Sequence, residues 1–218
     1  EYAEPDGLYL NGGGGGFERV SWTGGRFVWS GGDTLSRAPD EWGLAARFGD
    51  VNGDGRPDLY VANDFESPDH LWLNRGGGRF RAAGWRVLRK TSGSSMAVDF
   101  SDVDGDGSTD LFVADMLSRH SVRRKRQVMA LQLEQPGPGS MERVVQASRN
   151  TLQLNRGDGT YAEVARYAGV AASEWTWGVM FLDVDLDGRE DLLTTNGHVA
   201  DLLDFDAQRK FARTRANP

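Results

Sequence analysis

Short apolar runs, each opened by an aspartate, recur along the chain: Asp58-Leu-Tyr-Val-Ala, Asp110-Leu-Phe-Val-Ala and Asp191-Leu-Leu-Thr-Thr. Runs of apolar and β-branched residues this short, bounded by turn formers, predict buried strands. Between them lies a second pattern: Leu8-Tyr-Leu-Asn11, Leu71-Trp-Leu-Asn74 and Leu152-Gln-Leu-Asn155, each followed by glycine-rich residues and then Phe17, Phe80 or Tyr161. Each of these reads as strand, tight turn, strand, with glycine supplying the positive φ of the turn. Gly12 to Gly16 is then a hairpin tip; Phe17-Glu18-Arg19 supplies neither the Lys-Ser/Thr pair nor the helix of a phosphate loop.

The aspartate that opens each run is the last of a series. Asp50-Val-Asn52-Gly-Asp54-Gly-Arg56-Pro-Asp58, Asp102-Val-Asp104-Gly-Asp106-Gly-Ser108-Thr-Asp110 and Asp183-Val-Asp185-Leu-Asp187-Gly-Arg189-Glu-Asp191 align without a gap. The match extends upstream, where Phe48, Phe100 and Phe181 stand two residues before the first Asp, and Ala45, Ala97 and Gly178 five before. Such internal periodicity marks a repeat architecture. The periods run from about 7 to 64, 71 to 116 and 150 to 197, within one domain spanning 1–218.

The third period comes late, and its excess length fits one insertion, 117–149. There Val122 to Glu134 is rich in Arg, Gln, Leu and Met, which favour helix, before Pro136-Gly-Pro138-Gly139 breaks it. Arg123, Arg124, Lys125 and Arg126 form its basic centre and are candidates for a protein contact, with Val128, Met129, Leu131 and Leu133 expected to pack the helix on the sheet edge. A solvated clip over that edge is the competing reading. Residues 198–218 are expected to be a helical or extended tail.

Charge sharpens the picture. The net charge is −7, from 32 acidic and 25 basic side chains, which disfavours nucleic acid as a partner. The three Asp series hold eleven aspartates, so carboxylates are crowded into three loops, a costly arrangement unless a cation sits among them. In D-x-[DN]-x-D-G-x-x-D, positions 1, 3, 5 and 9 bring side-chain oxygens round one centre and position 7 offers a backbone carbonyl. The candidate ligands are therefore Asp50, Asn52, Asp54, Arg56 and Asp58; Asp102, Asp104, Asp106, Ser108 and Asp110; and Asp183, Asp185, Asp187, Arg189 and Asp191. An oxygen-only set without His or Cys selects Ca²⁺, in three sites, the first weakest because Asn52 replaces a carboxylate. An EF-hand would need a bidentate Glu at position 12, where Val61, Val113 and Thr194 stand.

These alternating D-x-D-x-D-G-x-x-D-L loops and L-x-L-N hairpins resemble FG-GAP/VCBS repeats, the blades of calcium-binding β-propellers such as the integrin α-chain head. Asp115-Met116-Leu117, Arg149-Asn150, Glu174-Trp175-Thr-Trp177 and Asn196-Gly197-His198 resemble in particular the secreted bacterial proteins similar to cartilage acidic protein, whose common C-terminal ASPIC/UnbV domain is not within these 218 residues. The resemblance implies an all-β propeller with about seven four-stranded blades, of which this chain supplies three to four. Three blades cannot close a ring, so either residues beyond the termini or a partner cover the open faces.

Other chemistry is sparse. Cysteine is absent, which removes disulfides, thiolate metal sites and a thiol nucleophile. His70, His120 and His198 share no ligand spacing, with His198 the one candidate site residue, and no nucleophile motif occurs. Trp42, Trp72 and Trp175 are expected to pack between blades rather than bind sugar. No apolar run is long enough to span a bilayer. The expected function is a non-enzymatic, calcium-stabilised scaffold or protein-interaction module outside the cytoplasm. The other class is a carbohydrate-binding or lyase-like propeller domain beside a separate catalytic unit.

Overall fold

A computed structural model describes residues 5–39, 41–65, 67–127, 144–197, 204, 206–207 and 209–210. The fold is all-β, as the apolar runs predict. It begins with the hairpin β1 (Tyr9–Gly13) and β2 (Gly16–Arg19), followed by an irregular turn over Trp22–Arg26 and the short β3 (Phe27–Val28). Next comes a sheet of β4 (Gly43–Gly49), β5 (Asp58–Asn63), β6 (His70–Asn74) and β7 (Phe80–Ala82), antiparallel in chain order, with β3 added parallel to the outer edge of β7. After β8 (Lys90–Ser92), a second sheet repeats the plan with β9 (Ala97–Ser101), β10 (Asp110–Ala114), β12 (Thr151–Asn155) and β13 (Tyr161–Glu163). A third pair, β14 (Thr176–Leu182) and β15 (Asp191–Asn196), closes the described strands.

The order of strands within the sheets corrects the phase of the repeat. Each predicted period runs hairpin first and Asp loop second, yet the hydrogen bonds join each Asp-loop strand pair to the hairpin that follows it. Leu59 pairs with Trp72 and Leu111 with Gln153. The hairpin β1–β2 thus has no strands preceding it in its sheet, and β14–β15 has none following among the described residues.

Period-two alternation sends successive side chains of the buried strands to opposite faces. Leu59 and Val61 of β5 join Leu8, Leu10, Val20, Trp22 and Phe27 in one apolar layer. Their neighbours Tyr60 and Ala62 face the second sheet, meeting Val98, Leu111 and Val113. On β10 the rule repeats, with Phe112 and Ala114 meeting Val179, Phe181 and Leu192 of the third pair. The sheets therefore stack face to face, and β9 lies between β4 and β14. Arg47 reaches across the first junction to Asp99 at 3.0 Å, and Asp99 in turn accepts the Phe181 N–H across the second.

Within the insertion, α1 spans Ser121–Arg126, with the rest of the expected helix, 128–134, outside the described residues, and Val145–Ala147 forms an unexpected strand, β11, parallel to β8. Val128, Met129, Leu131 and Leu133 lie outside the described residues, as does His198. Of the tail, Asp206, Ala207, Arg209 and Lys210 have helical backbone. No helix among the described residues is long and apolar enough to cross a membrane.

Candidate functional site

The three Asp series all fall on the turns joining β4 to β5, β9 to β10 and β14 to β15, at one end of the stack. Their backbones are alike. Gly55, Gly107 and Gly188 at position 6 adopt positive φ, as the sharp turn requires. Position 4 does so too, and in the third loop that residue is Leu186, at φ 62°.

The carboxylates are aimed by the loops' own N–H groups. At position 1, Asp50, Asp102 and Asp183 accept from the N–H of Gly55, Gly107 and Gly188 at 2.8, 2.9 and 2.9 Å. Asp54, Asp106 and Asp187 accept from the N–H of Arg56, Ser108 and Arg189 at 3.0, 2.7 and 2.9 Å. Asn52, Asp104 and Asp185 accept from the position-5 N–H in each loop. Held this way, the ligand oxygens of Asp102, Asp104 and Asp106 lie within 4.8 Å of one another, and so do those of Asp183, Asp185 and Asp191. The first loop gathers no such group of three. There the Arg56 guanidinium occupies Asp54 and also donates from Nε to the Asn74 carbonyl at 3.0 Å.

The ninth-position Asp does a second task that the sequence did not reveal. Asp58 accepts the N–H of Val51 with one oxygen and that of Asn74 with the other, at 3.2 and 2.7 Å. Asp110 does the same with Val103 and Asn155, at 2.9 and 2.8 Å. The side-chain amides of those asparagines close the link, Asn74 Nδ2 donating to the Pro57 carbonyl and Asn155 Nδ2 to those of Thr109 and Val51. Loop and hairpin are thus one device, and the invariant Asn in L-x-L-N was its only trace in sequence. Burial pushes the Asp58 and Asp110 carboxyls above the usual range. The N–H bonds oppose that shift, and the neighbouring loop carboxylates add to it.

The basic centre of the insertion is largely committed within the chain. Arg123 lies 3.9 Å from Glu174, and Arg126 lies 3.7 Å from Asp204 and 4.0 Å from Asp206. Arg124 donates to the carbonyls of Ser118 and Arg119. Lys125 alone of the four has no ion pair or hydrogen bond among the described residues. Trp72 is buried as expected, but Trp42 is exposed and meets Phe65 edge to face.

The family model described as FG-GAP-like repeat matches residues 50–113 and 143–194, more than half of the chain and all three Asp loops. No curated protein matches it.

Proposed function

Because this chain belongs to the FG-GAP-like repeat family, we propose that it is a calcium-stabilised, non-enzymatic scaffold or protein-interaction module that works outside the cytoplasm. The observation that carries the metal reading is the clustering of oxygen donors in the second and third loops, with three carboxylates in each brought within 4.8 Å. An oxygen-only set on a flexible loop fits Ca²⁺ and fits poorly with zinc or copper. A bound divalent ion would supply positive charge that offsets the repulsion among carboxylates. Asp102, Asp104, Asp106 and Asp110, and Asp183, Asp185, Asp187 and Asp191, would hold it, with the carbonyls of Ser108 and Arg189. The first site, Asp50, Asn52, Asp54 and Asp58 with the Arg56 carbonyl, has one carboxylate fewer and competes with the Arg56 guanidinium for Asp54.

Loops of this open kind need calcium well above resting cytosolic levels, which supports an extracytoplasmic location. The likeness to secreted bacterial proteins points the same way. Lys125 and the exposed faces of Arg123 and Arg126 are the part of the basic helix left for a protein partner. A second reading rests on the exposed Trp29, Trp42 and Phe65 beside the Glu41–His70 pair, at the end opposite the Asp loops, which would suit a glycan. Binding to a glycan array would favour it.

Calorimetric titration of calcium into metal-free protein tests the first reading. Two tight sites and one weaker site are expected, Asp104→Asn should weaken only one, and chelation should lower the melting temperature, since each site filled to 100 times its Kd stabilises by about 2.7 kcal/mol. An unchanged melting temperature in chelator, with the metal content measured as nil, overturns it.

A further inference from the structure

Arginine crowds the tip of one hairpin. From Leu71 to Val98 the chain holds Arg75, Arg79, Arg81, Arg86, Arg89 and Lys90 and no Asp or Glu, in a protein of net charge −7. Arg75 and Arg79 flank the β6–β7 tip, Gly76-Gly77-Gly78, and two more arginines reach it from neighbouring turns. The Arg26 guanidinium, from the turn before β3, covers Gly78, where a Cβ would lie 2.8 Å from Nη1. The Arg56 stem passes Gly76, and its Nε donates to the Asn74 carbonyl at 3.0 Å. Of the four, Arg56 is neutralised by Asp54. The side chains of Arg26, Arg75 and Arg79 form no ion pair or hydrogen bond among the described residues, and Arg75 and Arg79 are exposed.

The equivalent tip in the second sheet carries its own anion. Asn155-Arg156-Gly157-Asp158-Gly159-Thr160 aligns with Asn74 to Arg79, which places Asp158 where Gly77 stands and Thr160 where Arg79 stands. Asp158 accepts the Thr160 hydroxyl at 2.6 Å and the Thr160 N–H at 2.9 Å, and these bonds, with the Arg156 charge, hold its carboxyl below the usual range. At the first tip that carboxylate is replaced by glycine, and the cations are more numerous. Gly76, Gly77 and Gly78 all take positive φ. The Arg79 N–H turns back to the Gly76 carbonyl at 3.2 Å, and the N–H groups of Gly77 and Gly78 have no acceptor among the described residues. Free N–H groups on successive left-handed residues, beside guanidinium groups, suit an anion.

We propose that the β6–β7 tip binds a short acidic segment of a protein partner, one carboxylate taking the place at the glycines that Asp158 fills at the second tip, and its neighbours pairing with Arg26, Arg75 and Arg79. The proposal rests on the interaction-module reading and gives that module a partner chemistry. Guanidinium groups match carboxylates closely, meeting the two oxygens with two parallel N–H groups. The surroundings limit the length of what binds. Arg56 and Asn74 tie the tip to the first Asp loop, and the other two Asp loops lie at the same end of the stack. An extended polyanion, such as nucleic acid or an anionic membrane, would carry its charge on into those loops and be repelled, whereas a short acidic segment ends before them.

Calorimetric titration of the full chain, in saturating calcium, with a capped peptide of sequence Gly-Asp-Glu-Asp-Glu-Gly tests this. One-to-one binding that weakens as salt is raised is expected, with none for the counterpart peptide of Asn and Gln. Changing Arg26, Arg75 and Arg79 together to Gln should weaken binding about tenfold, as three exposed ion pairs are lost, and leave the melting temperature unchanged. Gly77→Asp, which installs the carboxylate of the second tip, should compete with the peptide and weaken it as well. Absence of binding at millimolar peptide, equal binding of the neutral peptide, or tighter binding of a single-stranded oligonucleotide overturns the proposal. Binding that survives the triple variant and is lost in Arg126→Glu also overturns it, and leaves the interaction-module reading standing on α1.

Discussion

Asp69 and Asn150 occupy equivalent places before their hairpins and accept equivalent backbone N–H groups, from Asn63 and Asp115, at 2.8 and 2.7 Å. The substitution of one for the other changes the electrostatics. Burial raises the Asp69 carboxyl from 3.8 to about 7, against the hydrogen bonds from Tyr60, Asn63 and Ser95 that favour its ionised form. A carboxyl raised on folding adds stability that is present in full below about pH 4 and is lost as pH climbs through 7. The stability of the natural chain minus that of Asp69→Asn should therefore fall between those limits and stay flat above, as read by denaturant titration across pH. Leu186 offers a second test at this scale. It holds a left-handed conformation at position 4, where the other loops use Gly53 and Gly105, and it is exposed. Leu186→Gly should stabilise the chain by about 1 kcal/mol, measured by the shift in unfolding midpoint.

Among elements, the hairpins and the Asp loops stabilise each other. Asn155 is buried, and its amide spans Val51, of the preceding sheet's loop, and Thr109 of its own. Asn155→Ala should cost about 1–3 kcal/mol by leaving those carbonyls unpaired. Asn11→Ala, which among the described residues loses only the side-chain contact with Gly13, should cost much less. Helix α1 obeys a different logic. Its ion pairs are 3.7–4.0 Å long and the arginines are half exposed, and such pairs contribute at most about 1 kcal/mol. Arg126→Glu should hardly move the melting temperature, so any loss of partner binding in that variant reports on the surface and not on folding.

Across the whole molecule, stability is graded from the middle outward. The β5 and β10 strands are buried along their full length, whereas β15 shows its outer face to solvent. Amide hydrogen exchange should accordingly be slowest in β5 and β10 and faster in β15 and β1. The Gly49 position shows how tightly the central junctions fit. A Cβ there would lie 2.7 Å from the Phe100 ring, so nothing larger than glycine lets the first two sheets meet. At the outer junction the same position is Leu182, which is why the exposed face of β14 is broad and apolar.

The strands, the three Asp loops and their donor series were legible in the sequence, because they depend on residues close together along the chain: a turn, a run of alternating side chains, a glycine at positive φ. The strand β11 was not foreseen, because helix-forming composition says nothing of where a chain must return to a sheet, which this one does at Val145. Which hairpin completes which sheet was decided only by tertiary structure. Asp58 and Asn74, or Asp110 and Asn155, come together through hydrogen bonds between segments distant in sequence, and a repeat read along the chain has no intrinsic starting point. The Arg56–Asp54 pair that sets the first loop apart was likewise hidden, since the arginine at the same position in the third loop, Arg189, makes no such pair among the described residues.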